Sequence, residues 1–175
     1  MFDLRKMNSD DLGMVLDWRN QKEVRSNMYC QTPIKLDEHM DWWKKTSKKD
    51  DQIYLIYEYN YTPFGVVSFN EIDKKHKHES WAFYTAACAP KRSGSRMEYL
   101  ALNFAFSTLS LNKLHCEVLF YNEPVLALHK KFGFEEKGRF ILHYQKEGVY
   151  YYIVRMAIFK QGWEKLKINF LHLDE

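Results

Sequence analysis

Ser80-Trp81-Ala82-Phe83-Tyr84-Thr85-Ala86-Ala87, the basic turn Lys91-Arg92-Ser93-Gly94-Ser95-Arg96, and the closing Lys131-Phe132-Gly133-Phe134 belong to the stretch from Glu79 to Phe134, and its reading decides the fold. The first segment reads as a strand that breaks at Pro90, which has no N–H for a sheet ladder. Met97 to Leu109 carries apolar residues at helical spacing (Leu100, Ala101, Phe104, Ala105, Leu109). Leu114 to Phe120 reads as a second strand. Asn122 then stands where an N-cap belongs, with Pro124 in the first turn of a short helix, where its missing N–H costs nothing. That helix ends at Phe132-Gly133-Phe134, and the glycine suits a left-handed position after the last turn.

A strand that feeds a helix through a basic, glycine-containing turn offers a place for phosphate. The first N–H groups of a helix have no partner within it, and the helix dipole there favours negative charge. The N–H groups from Arg92 to Arg96 are therefore expected to hold a pyrophosphate, with Lys91 and Arg92 adding charge. Taken alone the turn is weak evidence, because a glycine in a polar strand–helix loop is more often only a turn residue.

The second half of the stretch adds to it. Asn122, Leu128 and Lys131-Phe132-Gly133-Phe134 resemble the Asn-x-x-x-x-x-Leu-Tyr-x-x-x-Gly-Phe signature of the GNAT acetyltransferases. Lys91-x-x-Gly94-x-Arg96 resembles the acetyl-CoA loop of that superfamily, usually Gln/Arg-x-x-Gly-x-Gly/Ala. Arg96 departs from the small third residue, and His129 stands where the superfamily has tyrosine. The resemblance implies an α+β fold in which helices flank a mixed, mostly antiparallel sheet in three layers. It also implies acetyl-CoA as cosubstrate, with no metal.

The length of 175 residues fits one domain, here read as 1–175 with a core of about 2–159 and a tail of 160–175. An aromatic share of 17% argues against disorder. The net charge of +3 suits anionic ligands but is too small to argue for nucleic acid. Cys30, Cys88 and Cys116 show no paired spacing and fit a reducing compartment. No apolar run approaches membrane-spanning length and no signal-peptide core is visible, so a cytoplasmic protein is expected. A homodimer is compatible with the sequence, which is otherwise silent on oligomeric state.

Elsewhere the pattern predicts a first strand over Phe2 to Met7, then a helix capped by Ser9 and running to about Asn20. A second helix is expected from Leu36 to Lys48, followed by strands over Ile53 to Tyr59, Phe64 to Ile72 and Glu79 to Ala87. Arg139 to Gln145 and Val149 to Phe159 read as a hairpin across Lys146-Glu147-Gly148, and 160–175 as a terminal helix with a loose tail.

Acyl transfer from a thioester to an amine needs a neutral amine, a stabilised oxyanion and a proton for the departing thiolate. A lysine-like amine costs roughly 4–5 kcal/mol to deprotonate at pH 7, whereas an amine with a pKa near 8 costs about 1 kcal/mol. A sugar amine flanked by electron-withdrawing oxygens lies nearer the second case, where a modest base acting through water suffices.

Trp18-Arg19-Asn20, Val24-Arg25, Glu38-His39-x-x-Trp42 and the His76-Lys77-His78 turn are similar to one GNAT branch, the PseH enzymes. These acetylate the 4-amino group of a UDP-linked 4-amino-4,6-dideoxy sugar (UDP-4-amino-4,6-dideoxy-N-acetyl-beta-L-altrosamine) in pseudaminic acid synthesis. The likeness covers roughly residues 4 to 158. It implies Glu117 as general base through a water, with Ser68 and Tyr84 near the reacting amine. It implies Trp18, Arg19, Asn20 and Arg25 around a nucleotide-sugar pocket, where arginine suits diphosphate. The main chain of Thr85, Ala86 and Ala87 is expected to hold the pantetheine arm, and Asn122 to face the cofactor. His129 is expected to replace tyrosine as proton donor to the thiolate.

Plainer readings stand beside these. Glu117 fits a strand carboxylate paired with a neighbouring lysine, Ser68 an ordinary strand hydroxyl, and Trp18, Trp42 and Trp43 core positions. His76 and His78 lack a third ligand in sequence and read as a solvated turn. Two rival functions remain open: acetylation of another amine, such as a ribosomal-protein N-terminus, and a non-catalytic protein that binds acetyl-CoA.

Overall fold

A computed structural model describes residues 1–173 and resolves them into one seven-stranded sheet, in the order β1-β2-β3-β4-β5-β7-β6. The strands are β1 (Phe2–Lys6), β2 (Ile53–Tyr59), β3 (Thr62–Asp73), β4 (His78–Thr85), β5 (Lys113–Leu119), β6 (Glu135–Lys146) and β7 (Val149–Phe159). All neighbours pair antiparallel except β4 and β5, which are parallel and joined through the central helix. This is the mixed, mostly antiparallel sheet expected.

The helices α1 (Leu12–Asn20), α2 (Lys22–Arg25) and α3 (Leu36–Thr46) precede the meander; α4 (Ser93–Asn103), α5 (Glu123–Lys131) and α6 (Lys160–Leu166) follow it. Apolar residues on the two sheet faces form separate cores. On one face Met7, Leu12, Val15 and Trp18 pack with Ile56 and Val66. On the other, Trp81, Met97, Leu114, Phe132, Phe134 and Trp163 belong to the larger cluster. Fully burying a side chain of this kind contributes roughly 1.5–3 kcal/mol, so these layers are what hold the helices to the sheet.

Local structure departs from the sequence reading in four places. Asn8, not Ser9, caps the first helical turn: its side chain accepts from the Asp10 N–H, and Asp11 accepts in return from the Asn8 N–H. The central helix starts four residues earlier than its apolar pattern, at Ser93, and after Asn103 it widens into a π turn over Phe104–Thr108. There the Leu109 N–H bonds the Phe104 carbonyl, five residues back. The hairpin strand β6 begins at Glu135, ahead of the expected Arg139.

The end of the chain is the fourth departure. Lys167–Leu173 forms a 3₁₀ turn after α6, and Trp163, Phe170 and Leu173 are buried in the main core, with Phe170 stacked on Phe132. The expected loose tail is therefore structural through Leu173; Asp174 and Glu175 lie outside the described residues. No helix among the described residues is long and apolar enough to cross a membrane.

Candidate functional site

Strands β4 and β5 pair only at His78↔Lys113, Glu79↔Leu114 and Ser80↔His115, and then diverge. Beyond that point β5 is held on its other edge by β7, as far as Leu119. The result is a wedge-shaped gap in the sheet, part of a cleft of about 640 Å³ bordered by Trp81 to Ala87 on one side and Cys116 to Leu119 on the other. Ala86 donates its N–H to the Phe64 carbonyl of β3. By the alternation of an antiparallel ladder, the main-chain groups of Trp81, Phe83 and Thr85 then face the gap. The Ala87 N–H is occupied by the Gln21 side chain. Of the expected pantetheine-holding segment, Thr85 keeps its main chain open to the cleft, while the N–H groups of Ala86 and Ala87 are spent within the fold.

The start of α4 closes the deep end. Arg92 takes a left-handed conformation (φ 69°) at the cap, and no side chain caps the helix. The Ser93 N–H turns back to the Pro90 carbonyl and the Arg96 N–H to Arg92. The N–H groups of Gly94 and Ser95, in the uncapped first turn, fit a diphosphate. Arg92, Ser93 and Gly94 line the cleft, as does Asn122, whose side chain makes no capping bond to α5. Lys91 is exposed beside them. Arg96, expected to add to the diphosphate site, does not line the cleft: its guanidinium lies 3.9 Å above the Phe2 ring and donates to the Lys91 carbonyl, so it ties the turn to β1.

His129, on α5, is buried in the cleft wall and shares a 2.8 Å hydrogen bond between Nδ1 and the Glu98 carboxylate of α4. The Cys116 thiol lies against the same ring. Burial would loosen the imidazole's hold on its proton, but Cys116 and Glu98 oppose it and prevail, raising His129 above its ordinary range. Burial also raises Glu98. Both shifts point the same way: the pair keeps a proton at neutral pH.

Glu117 stands on the cleft wall across from β4. It accepts a 2.5 Å hydrogen bond from the Tyr29 hydroxyl and lies 3.6 Å from Nε of Arg155. Tyr84 also borders the cleft, its hydroxyl driven well above the usual range by burial. The Ser68 hydroxyl donates to the Ala82 carbonyl and accepts from Asn70 on the neighbouring strand, so it keeps a strand role.

The four expected sugar-pocket residues serve the scaffold instead. Trp18 is 7% exposed within the core below α1. Arg19 donates to the Cys30 carbonyl and, half-buried, approaches Tyr84. Asn20 clasps Ile34 by two main-chain bonds, and Arg25 donates to the Gln31 carbonyl. Together they shape the 26–35 loop, and that loop and its approach deliver Tyr29, Met28 and Gln21 to the cleft. Sequence reasoning missed Tyr29, Glu98 and Arg155, none of which sits in a local motif.

Asp73, His76 and His78 bring ligand atoms within 4.8 Å of one another at the β3–β4 turn. Asp73 already accepts from the His76 N–H and ring.

The family model described as "Acetyltransferase (GNAT) domain" matches residues 2–135. The chain is 25% identical over 164 residues to the spermidine N(1)-acetyltransferase of Escherichia coli (strain K12), a match spanning 91% of this chain and 87% of that protein. It is 23% identical over 151 residues to the SPbeta prophage-derived uncharacterized N-acetyltransferase YokL of Bacillus subtilis (strain 168), across 85% and 84% of the two chains. In structure it resembles the spermidine N-acetyltransferase from Vibrio cholerae in complex with CoA and spermine, with a TM-score of 0.85 at 22% identity over 93% of this chain and 98% of that one. An uncapped helix beside a split sheet, in a chain that this family model covers over most of its length, leads to one conclusion: the protein belongs to the GNAT acetyltransferases and is an N-acetyltransferase with acetyl-CoA as cosubstrate.

Proposed function

We propose that the acceptor is a nucleotide-linked amino sugar, acetylated on the 4-amino group of a UDP-4-amino-4,6-dideoxy-N-acetyl sugar on the way to pseudaminic acid, by direct transfer within a ternary complex. The observation that carries this reading is the charge beside Glu117. A groove of about 300 Å³ is lined by Lys113, His115, Lys137, Arg139 and Arg155 and by no carboxylate side chain. Arg155 joins that groove to Glu117. Lys137 and Arg139 are paired with Glu135 and Glu136 of the same strand, which hold them in place on the rim. Such a surface offers guanidinium and ammonium donors that suit a diphosphate.

In this reading Glu117, steered by Tyr29 and Arg155, takes the amine proton through a water. The amine nitrogen bonds to the acetyl carbon, the carbon–sulfur bond breaks, and His129 supplies a proton to the departing sulfur. Tyr84 borders the reacting amine, and Arg92 to Ser95 hold the coenzyme diphosphate. Holding two nucleotide-anchored reactants side by side supplies much of the rate.

A second reading is a polyamine acceptor, favoured by the spermidine acetyltransferases among the relatives and by Glu23 at the cleft mouth. Mass spectrometry after incubation with acetyl-CoA and, separately, UDP-4-amino sugars, spermidine and a peptide N-terminus distinguishes them. A gain of one acetyl group on the nucleotide sugar is expected. Turnover of spermidine with none of any nucleotide sugar overturns the first reading in favour of the second. Tight acetyl-CoA binding without turnover of any amine overturns both.

A further inference from the structure

We propose that Glu98 is a positioning residue for the acyl transfer: it fixes the His129 ring and keeps it charged, so that the leaving sulfur meets an imidazolium. This rests on the proton-donor role given to His129 above, and extends it to a residue that does not itself touch substrate.

The geometry begins with a carboxyl group that has no other reason to be where it is. Glu98 is 0% exposed, on the inward face of α4 among Met97, Ala101 and Leu102. Burying a carboxylate in such a place is costly unless it is paired. One oxygen bonds His129 at 2.8 Å and the other has no partner. With Nδ1 engaged by Glu98, Nε2 is the nitrogen left for the cleft and the Cys116 side. The groups facing the ring are Glu98 from α4, Cys116 from β5, and the uncharged rings of Trp81, Phe83 and Phe134. Glu79, on the same face of β4, is the next buried carboxyl and makes no hydrogen bond.

The chemistry explains why the pair is useful. An unassisted imidazole with a pKa near 6.5 is only about 3% protonated at pH 8, and burial would reduce that further. The electron pair of the breaking carbon–sulfur bond would then meet a neutral ring, and thiolate would leave without a proton. A carboxylate on the far nitrogen reverses this. The proton moves from Nε2 to sulfur, the ring becomes neutral, and the Nδ1–H bond to Glu98 persists, so the ring does not turn.

Replacing Glu98 with Gln retains the shape and a hydrogen-bond partner but removes the charge. Turnover at about pH 8 is expected to fall about 30-fold or more, with the deficit shrinking towards pH 6 and the KM for acetyl-CoA unchanged. An acetyl thioester with a more acidic thiol should recover most of the loss, and Glu98→Asp should restore part of it. A deficit independent of pH and of leaving group overturns the proposal, as does full activity.

Coenzyme binding tests it without any acceptor, so that a wrong acceptor and a wrong role for Glu98 give different results. Wild-type protein should bind CoA more tightly than desulfo-CoA at about pH 8, because imidazolium stabilises the thiolate, and Glu98→Gln should lose that preference. Should the variant fold poorly, the wild-type preference for CoA remains decisive: its absence across pH 6 to about pH 9 overturns the proposal.

Discussion

Gly65 faces Thr85 across the β3–β4 ladder, on the part of β4 that has already left β5. A Cβ at this position would stand 2.7 Å from the Tyr84 carbonyl oxygen and 2.9 Å from Cε of Met97, a fully buried residue of α4. The methionine end has some freedom, but the carbonyl belongs to the strand that walls the cleft. Gly65→Ala therefore forces β4 or α4 outward, an overpacking cost of about 1–3 kcal/mol. At roughly 2–4 °C per kcal/mol for a domain of this size, Tm should fall by about 2–12 °C. The same displacement moves the Thr85 main chain, so acetyl-CoA affinity should weaken in titration calorimetry. Gly13→Ala is the matched control, because a Cβ in that exposed turn of α1 meets nothing within 4 Å. There alanine should add about 0.5–1 kcal/mol through helix propensity. Thermal melts that leave Gly65→Ala at or above wild type would refute the argument from close approach.

Glu117→Gln should lower kcat by about 10²–10⁴-fold with little change in the KM for acetyl-CoA, followed by CoA release; unchanged kcat would remove Glu117 as base. Glu79 gives a pH prediction. Burial raises its carboxyl from 4.5 to about 8. The folded state then keeps a proton that the unfolded chain has released, so the stability from this group is complete below about pH 4.5 and is lost as pH rises through about 8. Glu79→Met should therefore raise Tm more at about pH 9 than at about pH 4, and equal shifts at both would count against a buried, unpartnered acid.

The fold was legible because its signals are local. Pro90 and the glycine after α5 (Gly133, φ 93°) each act within a few residues, and the apolar rhythm after Met97 marks a helix, although that helix begins at Ser93 and widens into a π turn at Phe104. The segment expected to hold the coenzyme is local in the same way, being one strand, one turn and one helix end, yet Arg96 and the N–H groups of Ala86 and Ala87 are engaged within the fold. The acceptor side was not. Arg19, Asn20 and Arg25 look like ligand residues by type, yet each donates to a carbonyl group of the loop it braces and none lines the cleft. Tyr29 and Arg155 reach Glu117 only through tertiary contact, and Glu98 sits in an apolar helix face where a charge reads as a surface residue until its partner is known. The terminal segment was misjudged because the small aromatic cluster of Trp163 and Phe170 has no meaning without Phe132 to pack against.

The pairing of β5 with β7 has a practical side for redesign. Glu117 is flanked by a hydroxyl from the loop after α2 and by a guanidinium from the last strand, while the diphosphate turn lies on a separate element between them. Exchanging the 26–35 loop and the β6–β7 hairpin together, as a matched cassette, is thus the economical way to redirect this scaffold to a new amine. Transplanting either piece alone would leave the carboxylate with half its bearings.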